Sequence, residues 1–426
     1  MYGAQLIEAL RRTVNSKGQF ELTQDQAQGP STAQDGSGAN RPAPLGMTTL
    51  LEFFGAGGAR MRAAGCDIVV DTKDLAVVGI TEVISHLPRI YGCYRKLIAE
   101  ADKRRPDLAI VIDSPSFNWR VARQMHRRGI PVVYYVCPQF WAWRQGRVRL
   151  LRKYIDKAIV IFPFEEKFYR DRGVDATFIG HPLASLPRPG VSRAEYAAEH
   201  GLDPAKFWIT LMPGSRVTEV QKNLPGILES AARLGAAYEY LLPVAPTLER
   251  DFVQSAISCR EAAMKYGGSR NDKVEVNQGF ASLIHLVPDA LPALAHSRGG
   301  IIASGTATVE AALMGTPFVM VYRVTPLTYW LGRPRVRVPH FAMVNLIAGR
   351  EAVPELVQRD FTAENVVSKL NQILPDGPAR KEMIQGLAAV RDSLRGASAD
   401  HLEPAERATK IILQLLIPAA AHRSGS

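Results

Sequence analysis

The chain has 426 residues, 46% of them hydrophobic and 22% charged, an ordinary balance for a folded globular protein and enough length for two or three domains of ~150 residues. This composition excludes a collagenous, wholly disordered or disulfide-stapled chain, and no apolar run reaches the ~18 residues that a membrane-spanning helix needs. The excess of 52 Lys and Arg over 41 Asp and Glu gives a formal charge of +11, which suits an anionic partner without choosing among phosphate, nucleic acid and a membrane surface.

The first ten residues read as a helix with Leu6, Ile7 and Leu10 on one face. They include Glu8 and no apolar core of a signal peptide. From about 14 to 49 the pattern dissolves. Gln24–Pro44 holds Gly29, Pro30, Gly36, Gly38, Pro42 and Pro44 and no large apolar residue, so a mobile loop is expected. The four cysteines, Cys66, Cys93, Cys137 and Cys259, form no C-x-x-C pair. Free thiols in a reducing compartment, with the cytoplasm as default location, are expected.

Asp74–Ile98 is apolar at helical spacing, through Leu75, Val78, Ile80, Val83, Ile84, Leu87 and Tyr91, with Pro88 expected to kink or split the helix. Two readings stay open for it: core packing, or an apolar helix docking on lipid between His86, Arg89, Arg95 and Lys96. Asp107–Asp113 is a short apolar run closed by charge and then Ser114-Pro115, the pattern of a buried parallel strand. Its carboxyl end is where ligands bind in open α/β sheets. Asp113 there is a candidate general base or a cap for the helix from Phe117 to Arg128, although Ser114 and Ser116 would cap equally well.

Val132–Val136 reads as the next strand. Pro138–Arg144 sets Phe140, Trp141 and Trp143 beside a basic stretch running to Lys153, either a core-facing loop or a nucleic-acid surface. Tyr154–Phe162 and Ala176–Gly180 read as further strands. His181 reads as a packing or hinge residue, and Pro182–Ser192 as a linker.

A second strand–helix series follows. Phe207–Met212 leads through Pro213-Gly-Ser-Arg216 into the helix Val217–Leu234. Backbone N–H groups of Gly214 and Ser215 at such a helix start attract phosphate, and Arg216 can add a bidentate contact; a plain surface turn is the alternative. Gly300–Ala303 leads through Ser304, Gly305 and Thr306 into the helix Thr306–Gly315. Glu310, one turn in, either accepts the hydroxyls of a ribose or is a solvated helix residue. Pro317–Tyr322 is another strand, and Pro404–Ile417 a terminal helix. Two such series predict two parallel-sheet domains with a cleft between them. No Walker A, G-x-G-x-x-G, H-E-x-x-H or G-x-S-x-G signature occurs in its expected context.

Taken together, the motifs resemble the lipid-A-disaccharide synthase family, glycosyltransferases of the GT-B fold. The strings that carry the resemblance are Asp74-Leu-Ala-Val-Val-Gly-Ile-Thr-Glu-Val83, Ile112-Asp-Ser-Pro-Ser-Phe-Asn118, Tyr134-Tyr-Val-Cys-Pro-Gln-Phe-Trp-Ala-Trp-Arg144, Phe162-Pro-Phe-Glu165, Phe178-Ile-Gly-His-Pro182, Leu211-Met-Pro-Gly-Ser-Arg216, Ala303-Ser-Gly-Thr-Ala-Thr-Val-Glu310, Asn345-Leu-Ile-Ala-Gly-Arg-Glu351 and Pro354-Glu-Leu-Val-Gln358. They occur in family order.

The resemblance implies two Rossmann-like domains: 1-185 on the acceptor and membrane side, and 186-400 binding the UDP-sugar. The 401-426 helix and tail would pack on the first domain or be exchanged in a homodimer. It implies inverting transfer from UDP-2,3-diacylglucosamine to 2,3-diacylglucosamine 1-phosphate, releasing UDP, with no cofactor, metal or nucleic acid. Asp113 matches the family's candidate base. Arg216, Glu310, Asn345 and Gln358 match positions that hold UDP, beside Gly214, Ser215, Ser304, Gly305 and Thr306. The resemblance also favours the docking reading of the apolar helix, through Leu75, Val78, Ile80, Ile84, Leu87 and Tyr91, on the anionic inner face of the cytoplasmic membrane.

Three departures stand out. Family members begin with a strand and a Gly-rich loop ahead of the stretch matching Gly3–Ile7, so the first sheet is expected to lack its first strand. Val344 replaces a proline, and Arg298-Gly299-Gly300 replaces a small, acidic lead-in. A catalytically incomplete homologue that binds UDP-sugar or membrane, and another UDP-sugar GT-B enzyme, are the rival readings.

Overall fold

The computed structural model describes residues 2–16, 51–74, 80–185, 187–266, 280–325, 338–396 and 402–423. The chain divides into two compact units, Met1–Pro138 with Leu150–Ile159 and Asp400–Ser426, and Gln139–Arg149 with Val160–Ala399. The division differs from the expected break near 185. The turn Pro182–Ser185 packs on helices of the second unit, and the His181 N–H donates to the Leu394 carbonyl at 2.8 Å. The expected loop over 14-49 falls largely on residues 17–50, outside the described residues.

In the first unit α1 (Tyr2–Ser16) buries Leu6, Ile7, Ala9 and Leu10, the apolar face its spacing predicts. It packs on the C-terminal helix Pro404–Arg423, which belongs to the same unit. Next come β1 (Phe53–Gly57), α2 (Ala59–Ala63) and β2 (Cys66–Asp71). Ala4, Ile7, Ala64 and Cys66 form a small core with Phe53, Met61 and Ile68. α3 (Ile80–Arg104) runs as one helix through Pro88. It leads to β3 (Ala109–Ile112), α4 (Pro115–Arg127) and β4 (Val132–Tyr135). α5 (Val148–Tyr154) takes Tyr154 out of the strand expected there, and β5 starts only at Lys157 (Lys157–Val160). The break is at Asp156, whose carboxylate accepts the Val132 N–H at 2.7 Å.

β1 pairs in parallel with β2, and β3 with β4 and β4 with β5, the second sheet continuing to Ala176–Phe178. Among the described residues neither β1 nor β3 has a second neighbour. A cavity of about 550 Å³ is lined by Phe54 and Ala56 of β1 and by Ile110 and Ile112 of β3.

The remaining elements are α6 (Pro163–Arg170), β6 (Ala176–Phe178), α7 (Arg193–His200), β7 (Phe207–Met212), α8 (Val217–Leu234), β8 (Tyr238–Pro243), α9 (Arg250–Tyr266), β9 (Ile284–Val287), α10 (Ala290–His296), β10 (Gly299–Ala303), α11 (Thr306–Met314), β11 (Phe318–Tyr322), α12 (Met343–Ala348), β12 (Glu355–Val357), α13 (Ala363–Ile373), α14 (Pro378–Arg395) and α15 (Pro404–Arg423). In the second unit six parallel strands lie in the order β12-β11-β10-β7-β8-β9. Helices cover such a sheet on both faces, so its strands are mostly apolar. Every residue of β10 is buried, and α11 buries Val309, Ala311, Ala312 and Leu313. Trp208, Leu241, Val287 and Tyr196 form one core cluster. Each fully buried side chain of this size is worth ~1.5–3 kcal/mol.

From β7 the chain winds outward through β8 and β9, then returns to β10 on the other side of β7. The strand order therefore reverses between β7 and β10, and the crevice at the carboxyl ends of that pair is the usual ligand site of open α/β sheets.

Candidate active site

Ile302 and Met212 are register partners, so the loops leaving β7 and β10 start side by side. In the first loop Gly214 holds φ 124°, and a Cβ there would lie 2.6 Å from the Cβ of Glu219. Only glycine fits this close approach. Glu219, on the first turn of α8, bridges the loop. One carboxylate oxygen accepts the Ser215 N–H at 3.0 Å and the other meets Arg216 Nη1 at 3.1 Å. These are the donors the sequence assigns to a phosphate, here engaged by a carboxylate. The Arg216 side chain is 79% exposed, with Glu219 its ion-pair partner. Asn223, wholly buried, braces the loop from behind. It donates to the Pro213 carbonyl at 3.1 Å and accepts the Arg323 N–H at 2.9 Å.

In the second loop Ser304 donates to the Phe341 carbonyl at 3.0 Å. Gly305 has φ 143° with open space where a Cβ would be, so the backbone angle alone demands glycine. Thr306 begins α11; the Thr308 N–H bonds the Gly305 carbonyl at 3.2 Å, and the N–H groups ahead of it are those a helix start leaves without intrahelical acceptors. Glu310 is partly buried, and desolvation holds its carboxyl above the usual range. It has no hydrogen-bond or salt-bridge partner among the described residues. Tyr322, at the end of β11, feels the charges of both Glu219 and Arg216. The ends of β7 and β11 thus share one electrostatic neighbourhood.

The structure separates the roles of the last two residues assigned to this pocket. Asn345 is fully buried and saturated. Its amide donates to the Val353 carbonyl at 2.8 Å and to Glu355 at 2.7 Å, and its oxygen accepts the N–H groups of Ala352 and Val353. Glu355 in turn accepts the N–H groups of Phe341 and Ala342. Asn345 is therefore a bracket for the loop that Ser304 also grips. Gln358 follows β12 with φ 56°, an unusual angle for a non-glycine residue. Its oxygen accepts the Val324 N–H, while its buried Nε2 has no partner among the described residues. A buried donor of this kind costs free energy until something accepts from it. Glu219, Asn223 and Glu355 were not singled out by sequence reasoning. The (i, i+3) spacing of Arg216 and Glu219 across a helix start was the available signal.

In the first unit Asp113 directly follows β3 and is exposed. Ser114, not Asp113, is the N-cap of α4, and no side chain caps that helix. Both residues are left-handed, with φ 48° and 39°. Such strain clusters at functional sites. The Asp113 carboxylate has no hydrogen-bond or salt-bridge partner among the described residues.

The aromatic segment follows the core reading. Phe140 and Trp141 are buried, whereas Trp143 is 45% exposed with Arg144 over its ring. Trp141 Nε1 donates to Glu165 at 2.9 Å, and the N–H groups of Ile161 and Phe162 donate to the same carboxylate. Burial outweighs these donors and pushes the Glu165 carboxyl up from 4.5 to about 7. Between those two values the unfolded chain gives up this proton and the folded chain keeps it, so stability falls as pH rises. Relative to Glu165→Gln, the wild type is expected to lose up to ~1.4 kcal/mol per pH unit across that interval in urea melts. A pH-independent difference between the two would show Glu165 ionised in the fold. His181 is buried, packed on Phe162 at 5.3 Å, and held down to about 4 by desolvation, in keeping with a packing role.

Of the residues assigned to lipid docking, Leu75 and Val78 lie outside the described residues, and the side chains of Ile80, Ile84 and Leu87 do as well. Tyr91 is 61% exposed, with Arg95 and Lys96 exposed beside it. No helix among the described residues is long and apolar enough to cross a membrane.

Residues 45–401 match the family model described as lipid-A-disaccharide synthetase. A lipid-A-disaccharide synthase of Koribacter versatilis is 50% identical over 365 residues, 86% of this chain and 91% of that protein. One of Acidobacterium capsulatum is 47% identical over 383 residues, covering 89% and 93%. One of Myxococcus xanthus is 39% identical over 372 residues, covering 86% and 91%. Among solved structures, the glycotransferase of kitacinnamycin superposes with a TM-score of 0.53 at 14% identity, over 85% of this chain and 91% of that one. The UDP-GlcNAc 2-epimerase of Neisseria meningitidis, bound to UDP-GlcNAc, gives 0.51 at 12% identity, over 84% and 88%. The two structures share the fold, two Rossmann-like parallel-sheet domains.

Proposed function

The chain belongs to the lipid-A-disaccharide synthetase family and is a glycosyltransferase of lipid A biosynthesis, and from this we propose that it moves the diacylglucosamine of UDP-2,3-diacylglucosamine onto the 6-hydroxyl of 2,3-diacylglucosamine 1-phosphate. The observation that carries the reading is the register of β7 and β10, which sets two glycine-containing helix-start loops side by side at the switch point, with Arg216 on one and Glu310 beyond the other.

The chemistry follows from these residues. The acceptor oxygen bonds to the anomeric carbon while the bond from that carbon to the diphosphate oxygen breaks, so a single displacement inverts the centre. The hydroxyl proton passes to Asp113, and the electron pair leaves with UDP. Negative charge grows on the diphosphate, where Arg216 and the N–H groups of Gly214, Ser215 and Thr306 offset it. To bind there the diphosphate takes from Glu219 the donors that residue now occupies. Glu310, short of partners, accepts the ribose hydroxyls, and the unpartnered Gln358 amide donates to the nucleotide. Both substrates are acylated, and exposed Tyr91 with Arg95 and Lys96 suits an anionic leaflet.

Supplying UDP-2,3-diacylglucosamine and unacylated UDP-glucosamine separately, each with 2,3-diacylglucosamine 1-phosphate as acceptor on liposomes rich in anionic lipid, tests the reading. Disaccharide is expected from the acylated donor alone, with the protein sedimenting with the vesicles. Equal turnover of both donors would favour a different UDP-sugar enzyme, and protein left in the supernatant would remove the docking surface.

A further inference from the structure

The Asp113–Ser114 turn places two successive non-glycine residues in the left-handed region, at φ 48° and 39°. That costs free energy at each position, and such a turn persists only where its surroundings over-determine it. Three side-chain hydrogen bonds converge on it. Tyr134 Oη donates to the Asp113 carbonyl at 2.7 Å. The Asn118 amide donates to the Asp113 carbonyl at 2.7 Å and to the Ile112 carbonyl at 2.7 Å. The backbone adds the Asp113 N–H, bonded to the Tyr135 carbonyl at 3.2 Å, and the Ser114 carbonyl, which accepts from Phe117 and Asn118.

Neither donor sits there by accident of loop geometry. Tyr134 lies in β4, alongside β3, and is 1% exposed. Asn118 lies on the first turn of α4, so strand and helix grip the turn from two sides. Burial holds the Tyr134 phenol far above its ordinary range, and it stays a donor at any working pH. The Asp113 carboxylate itself is exposed and has no bonded partner among the described residues.

We propose that Tyr134 and Asn118 are positioning residues for sugar transfer: by holding the Ile112 and Asp113 carbonyls they fix the left-handed turn that presents the Asp113 carboxylate to the acceptor hydroxyl. The inference rests on the reading of Asp113 as the base. Releasing the turn lets the Asp113–Ser114 peptide rotate and moves the carboxylate, and misplacement by ~1 Å is enough to cost up to ~10²-fold in rate.

The test uses Tyr134→Phe, which removes one oxygen from a packed ring, and Asn118→Ala, each alone and combined with Asp113→Asn, in the full-length protein. Each single variant is expected to lower kcat roughly 10- to 100-fold while leaving KM for the UDP donor and the Kd of UDP unchanged. In the Asp113→Asn background neither is expected to lower kcat further, because there is no base left to aim. Wild-type kcat in Tyr134→Phe, losses that multiply with Asp113→Asn, or parallel loss of UDP affinity would overturn the proposal, the last two marking a merely structural role. If Asn118→Ala fails to fold, Tyr134→Phe decides. Wild-type kcat in Asp113→Asn alone would overturn the base reading and this inference with it, and that variant separates the two failures.

Discussion

Replacing Arg216 by alanine is expected to lower kcat/KM for the UDP donor by roughly 10²–10³-fold, the cost of removing one charge-stabilising donor from a reacting site, and to weaken UDP binding in calorimetry. The reasoning is electrostatic. The leaving diphosphate gains charge as the glycosidic bond breaks, and Arg216 is the side-chain cation on the loop that the chain itself neutralises with Glu219 at 3.1 Å. The helix-start N–H groups survive the substitution, so residual activity is expected. Because the side chain is 79% exposed, the variant should fold as the wild type does. Arg216→Lys keeps the charge but loses the planar fork that pairs with phosphate, and is expected to fall between the two. Unchanged UDP affinity in Arg216→Ala would remove this residue from the pocket.

Asp113→Asn is expected to act on a different step. It should lower kcat by roughly 10²–10⁴-fold, the usual contribution of a positioned base, and leave the Kd of UDP unaltered. Asparagine tolerates the left-handed backbone at this position, which makes the substitution a test of the carboxylate and not of the turn. A wild-type rate would exclude proton transfer to Asp113. Together the two substitutions divide the proposed reaction, since one perturbs binding and departure of UDP and the other the acceptor's proton.

Much of this was open to reading in one dimension. Phe207–Met212 and Val217–Leu234 appear in the fold with the boundaries their patterns predict, because an apolar strand followed by a Pro-Gly turn and an amphipathic helix is a local instruction. The glycines of both helix-start loops were visible for the same reason. By contrast, β1 was not anticipated: Phe-Phe-Gly-Ala-Gly has little strand propensity and is held by pairing with β2, a tertiary effect. Asp156 cut short a strand that the apolar run from Tyr154 suggested, through a bond to Val132 on a neighbouring strand.

The candidate site shows the same divide. Residue types and spacing suffice to nominate Arg216, Glu310 and Asp113, since charge, small residues and a strand end are all written along the chain. Whether Asn345 touches a ligand or braces a loop depends on four hydrogen bonds to Val353, Glu355 and Ala352, and no periodicity encodes that. The role of Glu219 as a stand-in anion and the clamp of Tyr134 and Asn118 on a strained turn likewise arise from hydrogen bonds between elements. Hydrophobic pattern and turn chemistry act between near neighbours and so survive in the order of residues, whereas the satisfaction of buried polar groups depends on which distant segments meet, and exists only once the chain has folded.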